Sequence, residues 1–163
     1  MASLDGDGLR RISKELTWRA LQAPCWDMAL ATVRSTMSIA DAAKATGLTT
    51  HTLRYYESDG LLLEPVDRGP SGHRRYTEQD LSWIVLVTKL RSTGMPIREV
   101  RAYAALCRAG DGNESERLAL LHAHRTRVLT QLAEVRENLS AIEYKIGLYE
   151  GRVTAAGTQT PAP

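Results

Sequence analysis

Apolar residues in the last third of the chain recur at alternating steps of three and four. Leu118, Leu121, Arg125, Val128, Leu132, Val135, Leu139, Ile142, Ile146 and Tyr149 form one series, nine of the ten being apolar and Arg125 the exception. The spacing predicts a long helix from about Ser115 to Glu150. A mean period of about 3.5 is that of a left-handed coiled-coil seam. The alternative is a helix packed within its own monomer, but no other predicted element is long enough to cover such a stripe. The expected partner is the same helix of a second subunit. Residues Thr154–Pro163, rich in Thr, Ala, Gly and Pro, are expected to be disordered.

Upstream of this seam the pattern breaks into short pieces with clear punctuation. Ser38 is a good helix N-cap, with Asp41 three residues on in a capping-box-like arrangement. Ile39, Ala42 and Ala43 give a small apolar face, and Gly47 ends the helix. Thr49 caps a second short helix from about Thr50 to Ser58. Two short helices joined by a Gly-containing turn form a helix-turn-helix. Gly60 stops the second helix, and Leu61-Leu62-Leu63 predicts a short strand. Asp67-Arg68-Gly69-Pro70-Ser71-Gly72 is dense in turn formers, and His73-Arg74-Arg75-Tyr76 returns as the partner strand of a hairpin, or wing.

Thr77, with Asp80 at the matching position, caps the next helix. Leu81, Ile84, Val85, Val87, Thr88 and Leu90 give it a broad buried face up to Gly94. Pro96 opens a further helix at a tolerated first-turn position. It runs through Val100, Tyr103, Ala104 and Leu106 to a stop near Gly110, before the loop Asp111-Gly112-Asn113. Residues 1–36 are less regular. Leu9, Ile12, Leu16 and Ala20 have helical spacing, while Pro24 interrupts any helix there. Two readings stand for this segment: an accessory stretch ahead of a functional start at Met37, or a helix that packs on the domain or the dimer.

Composition narrows the class only a little. Of 163 residues, 43% are hydrophobic and 25% charged, ordinary values for a globular chain. No apolar run approaches the length of a membrane span. Asp5 and Asp7, with no apolar core behind them, do not read as a secretory signal. Cys25 and Cys107 make no disulfide framework, which favours a reducing cytoplasm. A net charge of +2 does not announce a nucleic-acid binder. Clustering matters more: residues 37–110 carry ten Lys/Arg against eight Asp/Glu, with Arg68, Arg74 and Arg75 close together. On the second short helix, Arg54, Tyr55 and Tyr56 supply side chains suited to phosphates and base edges. There is no nucleophile–base pair, phosphate-binding loop or metal cluster, so neither catalysis nor a bound cofactor is expected.

The combination resembles the MerR family of bacterial transcription regulators. The matching stretches are Ser38-Ile39-Ala40-Asp41-Ala42-Ala43, Gly47-Leu48, Leu53-Arg54-Tyr55-Tyr56-Glu57, Gly60-Leu61-Leu62, Gly72-His73-Arg74-Arg75-Tyr76 and Gly94-Met95-Pro96-Ile97. One departure is His73, where the family usually has Tyr. The resemblance covers roughly residues 37–150 and implies a mainly α fold, a winged helix-turn-helix DNA-binding domain followed by a long dimerising coiled-coil helix. Domain limits follow: an extension over 1–36, the DNA-binding domain over 37–110, the coiled coil over 111–151 and a disordered tail over 152–163. It also implies a cytoplasmic homodimer, antiparallel along its coiled coil. The dimer would bind an inverted repeat in double-stranded promoter DNA and distort it for bacterial RNA polymerase. An architectural, excisionase-like DNA-bending protein is the alternative, against which the intact seam argues.

Within that frame Thr50, His51, Arg54 and Tyr55 are the candidates for the major groove, Arg54 suiting either a guanine edge or a phosphate. The rival reading pairs Arg54 with Glu57 or Asp41. One of two adjacent helical tyrosines must face the core, and Tyr56 is assigned there. Arg68, His73 and Arg74 are expected to meet the DNA backbone, with Arg75 alternating to the opposite face. Tyr76 is expected to pack against the body while its hydroxyl reaches a phosphate. Leu118, Leu121, Val128, Leu132, Val135, Leu139, Ile142 and Ile146 would form the dimer seam. Cys107 is a candidate sensor of an unknown small effector, or else a small apolar residue. The C-terminal half is similar to the branch with aldehyde- and electrophile-responsive members, which often carries a cysteine in the helix after the wing; Thr88-Lys89 stands there instead. His122 and His124 are read as solvated, no metal site is expected, and nothing after residue 150 leaves room for a large ligand domain.

Overall fold

Three of the helices begin where a short polar side chain replaces a missing backbone partner. In the computed structural model, which describes residues 36–157 with side chains through 154, Ser38 accepts from the Asp41 amide at the head of helix α1 (Ile39–Thr46). Thr49 accepts from the Thr52 amide at the head of α2 (Thr50–Ser58). Thr77 and Asp80 form a complete capping box at the head of α3 (Glu78–Ser92), each satisfying the other's backbone amide. Pro96 precedes α4 (Ile97–Arg108) without a side-chain cap. Gly47 sits at φ 70° after α1, a left-handed conformation that lets the chain turn sharply into α2.

Three short strands complete the fold. β1 (Thr36–Ser38), β2 (Asp67–Arg68) and β3 (Arg74–Thr77) form an antiparallel sheet in the order β1-β3-β2. Met37 lies opposite Tyr76, and Arg68 opposite Arg74. β1 is absent from the sequence reading. An N-cap residue has extended backbone, and Ser38, at φ −69° and ψ 162°, both ends a strand and starts a helix.

The strand expected at Leu61-Leu62-Leu63 does not form; the wing's first strand is Asp67–Arg68. The reason lies in the carbonyl partners of the leucines. Trp83 Nε1 donates to Leu61 O at 2.6 Å, and Arg108 donates to Leu62 O at 2.6 Å and to Gly60 O at 3.1 Å. Side chains of α3 and α4 thus take the acceptors that a ladder would use. Leu61 and Leu62 are both buried, so neighbouring side chains do not alternate between core and solvent.

The core lies between the helices and β3. Leu53, Leu61, Tyr76, Leu81, Ile84, Val87, Met95 and Val100 are fully buried. Trp83 stacks on Tyr103, ring centroids 5.8 Å apart and planes 5° from parallel. Burying side chains of this size stabilises by roughly 1.5–3 kcal/mol each before conformational entropy is subtracted.

The last helix, α5, runs Glu114–Gly157 for 44 residues. It outlasts the expected end at Glu150 and the tail expected from residue 152. Arg152-Val153-Thr154 contains no breaker, and Thr154 Oγ1 donates to Glu150 O at 2.9 Å. The chain divides into two compact units, Met1–Leu121 and His122–Pro163. Within the first unit Leu121 is half-buried against the core, and Leu118 is exposed. In the second, Leu132, Val135, Leu139, Ile142, Ile146 and Tyr149 are all exposed, Val128 is half-buried, and Val153 extends the stripe. His124 is buried, correcting its reading as a solvated position, whereas His122 is exposed. The readings made for residues 1–35 and 158–163 lie outside the described residues. Among the described residues, no helix is long and apolar enough to cross a membrane.

Candidate nucleic-acid interface

α2 divides its side chains between core and surface by helical spacing. Leu53 and Tyr56 are buried, while His51, Arg54 and Tyr55 are exposed. Thr50 is half-buried at the first turn. The adjacent tyrosines therefore separate as expected, with ring centroids 6.3 Å apart. Gly60, at φ 68°, lets the chain leave α2. α4 braces that exit: Arg101 Nη2 donates to both Asp59 carboxylate oxygens at 2.7 and 2.8 Å, and Nε donates to Asp59 O at 3.1 Å. The end of α2 is thereby fixed to a residue 42 positions later in the sequence.

The wing folds back toward the same surface. Gly69 N donates to His73 O at 2.9 Å and Gly72 N to Gly69 O at 2.8 Å, closing the hairpin. Arg68 and Arg74, opposed across β2 and β3, both turn to Glu57 on α2. Arg74 Nε donates to one carboxylate oxygen, and Arg68 stands 3.6 Å from the other. Arg75, next along β3, is exposed.

Between α1, α2 and the wing lies an open groove of about 350 Å³. Ser38, Ile39 and Ala40 from the start of α1, Arg54 from α2, and Arg68, Gly72, His73 and Arg74 from the wing line it. Three guanidinium groups and an exposed imidazole thus meet the first turn of a helix, whose free amides favour anions. Arg54 has no ion pair among the described residues, so the rival pairing with Glu57 or Asp41 does not occur; Glu57 is held by the wing instead. Thr50, His51 and Tyr55 stand outside the groove, and Tyr55 Oη approaches Asp59 at 3.5 Å.

Tyr76 requires a correction. Its side chain is fully buried, and its hydroxyl has no hydrogen-bond partner among the described residues. It packs against the body as expected but offers no surface to a phosphate. Burial pushes its phenol above the ordinary value of 10.0; the Glu57 carboxylate adds to that, and Arg74 opposes it. Cys107 is half-buried against the core on α4. Its sequence neighbours Arg101 and Arg108 direct their guanidinium groups to Asp59 and to the Gly60 and Leu62 carbonyls. Among the described residues, no group of three or more His, Cys, Asp or Glu could hold a metal ion.

Sequence reasoning missed the bracing residues Asp59, Arg101 and Arg108, and it missed Glu57 as the tie between helix and wing. A carboxylate at the end of α2 and arginines in the turn and the returning strand of the wing were visible; their convergence needed the fold.

A capped helix-turn-helix with an Arg-bearing wing beside an exposed, Arg- and Tyr-bearing helix defines a DNA-binding winged helix-turn-helix. Residues 37–106 match the family model of the MerR HTH family regulatory proteins. An HTH-type transcriptional regulator of Haemophilus influenzae is 36% identical over 115 residues, covering 71% of this chain and 84% of that protein. The HTH-type transcriptional regulator AdhR of Bacillus subtilis is 41% identical over 93 residues, 57% of this chain and 66% of AdhR. Among crystal structures, a MerR family regulator from Listeria monocytogenes superposes with a TM-score of 0.69 at 30% identity, over 74% of this chain and 91% of that one. HiNmlR, described as a MerR family regulator lacking the sensor domain and bound to promoter DNA, gives a TM-score of 0.66 at 36% identity, over 75% and 95%. The chain belongs to the MerR family of transcriptional regulators. Its relatives are regulators, not enzymes.

Proposed function

We propose that the protein acts in the cytoplasm as a homodimer on an inverted-repeat promoter site. α2 of each protomer enters the major groove, presenting Thr50, His51, Arg54 and Tyr55. The wing, through Arg68, His73 and Arg74, grips the flanking backbone. The α5 seam holds the two copies at a fixed separation, in antiparallel register. By bending and untwisting the DNA between them, the dimer alters how RNA polymerase reads the promoter. Deformation of this kind is sequence-dependent and is offset by the contacts it permits. An effector sensed near Cys107 would act by changing how the two copies are held.

The observation that carries this reading is the groove that brings Arg54, Arg68, His73 and Arg74 onto one face beside the exposed side of α2. The uncovered stripe along α5 supports the dimer, since apolar surface of that extent marks an interaction site. It also speaks against an architectural protein without promoter control. The test is nuclease protection of the region upstream of the protein's own gene. A protected dyad between promoter elements is expected, and no protection at low salt would refute the assignment.

A further inference from the structure

Beside the groove between α1, α2 and the wing stands a carboxylate that engages two of the arginines lining it. Glu57 leaves the end of α2 with its side chain 17% exposed and meets both Arg68 and Arg74. Arg54, one turn earlier on the same helix, has no such partner among the described residues. The three guanidinium groups are therefore unequal: one is uncompensated and two share a single negative charge. We propose that Glu57 is a specificity-determining residue: it weakens the hold of this face on DNA of any sequence, and it keeps the wing arginines where an operator's phosphates meet them.

The two effects separate physically. Attachment to random DNA is governed by phosphate charge and counterion release, so a carboxylate paired with the groove's arginines diminishes it directly. Attachment to an operator also depends on side chains being in place beforehand, because ordering a long side chain on binding costs entropy. Arg68 lies in a two-residue strand and is 52% exposed on its side chain; besides Glu57, only a long hydrogen bond from Nη1 to Gly72 O at 3.5 Å holds its guanidinium. A carboxylate that bridges Arg68 and Arg74 to α2 fixes the distance between wing and recognition helix. The net result is a larger ratio of operator to random affinity, which is the quantity that matters among many competing sites.

This inference rests on the reading that the groove faces DNA. The experiment measures fluorescence anisotropy across a salt series. It uses a random-sequence duplex pool and a duplex selected from that pool by the wild-type protein. Glu57→Gln removes the charge and keeps an oxygen acceptor for the arginines. It is expected to bind the random pool more tightly, with the log–log salt slope steepened by about 0.9 per carboxylate removed. Its ratio of selected to random affinity should fall. Glu57→Asp, which keeps the charge, should retain the wild-type slope on the random pool. Two exposed substitutions give a test independent of Glu57's packing. Arg54→Gln should flatten the slope by about 0.9, and Arg68→Gln by clearly less, because Glu57 already offsets part of its charge. Equal flattening by these two variants, or an unchanged slope in Glu57→Gln, overturns the inference while leaving DNA binding standing. A wild-type protein that binds neither duplex at low salt overturns both.

Discussion

Replacing Tyr76 with Phe removes a single oxygen from the centre of the domain. The ring is fully buried opposite Met37 of β1, and its hydroxyl is without a hydrogen-bond partner among the described residues. A buried polar group left unpaired costs about 1–3 kcal/mol, whereas the apolar burial of the ring is the same in Phe. Tyr76→Phe is therefore expected to raise the unfolding free energy by about 1 kcal/mol, a shift in Tm of roughly 4–8 °C for a domain of this size. The pH dependence has a definite sign. Burial raises the phenol above its ordinary value of 10.0, so the folded state keeps its proton where the unfolded chain releases it. Stability present below that pH is lost as the pH rises past it, and the loss should be smaller in the variant. Thermal melts followed by circular dichroism near neutral pH, repeated from about pH 8 to 11, measure both effects. DNA affinity should not change. A destabilisation greater than about 1 kcal/mol would mean that the hydroxyl has a partner after all. A loss of DNA affinity at unchanged stability would return Tyr76 to the interface.

Three further experiments probe other parts of the structure. Leu139→Glu puts a charge into the apolar stripe of α5 and is expected to convert a dimer to a monomer by light scattering, while the DNA-binding unit stays folded. Thr77→Ala breaks the capping box of α3 and should lower stability by about 0.5–2 kcal/mol in chemical denaturation. A double-mutant cycle on Asp59 and Arg101 should give a coupling of about 0.2–1 kcal/mol, since Arg101 is 48% exposed on its side chain and water screens the pair.

What could be read from the sequence were features set within a few residues. Ser38, Thr49 and Thr77 cap helices because a side chain and an amide three positions on are neighbours in any helix start. Tyr55 and Tyr56 had to part because adjacent helical positions lie far apart around the axis. What could not be read depends on partners brought from afar. β1 was invisible because its pairing with β3 joins residues some forty apart. Leu61-Leu62-Leu63 mimics a strand, yet its carbonyls are taken by Trp83 and Arg108, 22 and 46 positions later. Glu57 reads as a local partner for Arg54 until Arg74, 17 residues on, arrives beside it. Tyr76 looked amphipathic, and only the packing of β3 shows that its polar end is enclosed.

The three-stranded sheet has one more consequence. Its outer margins are β1, three residues long, and β2, two residues long and carrying the exposed Asp67 and Arg68. Pro70 lies just beyond, unable to donate a backbone hydrogen bond. A margin as short and charged as β2 is a poor template for the addition of a strand from another molecule. The wing edge of the sheet is thereby closed to the strand addition that leads to aggregates, while the apolar stripe on α5 stays open to the helix pairing proposed for it.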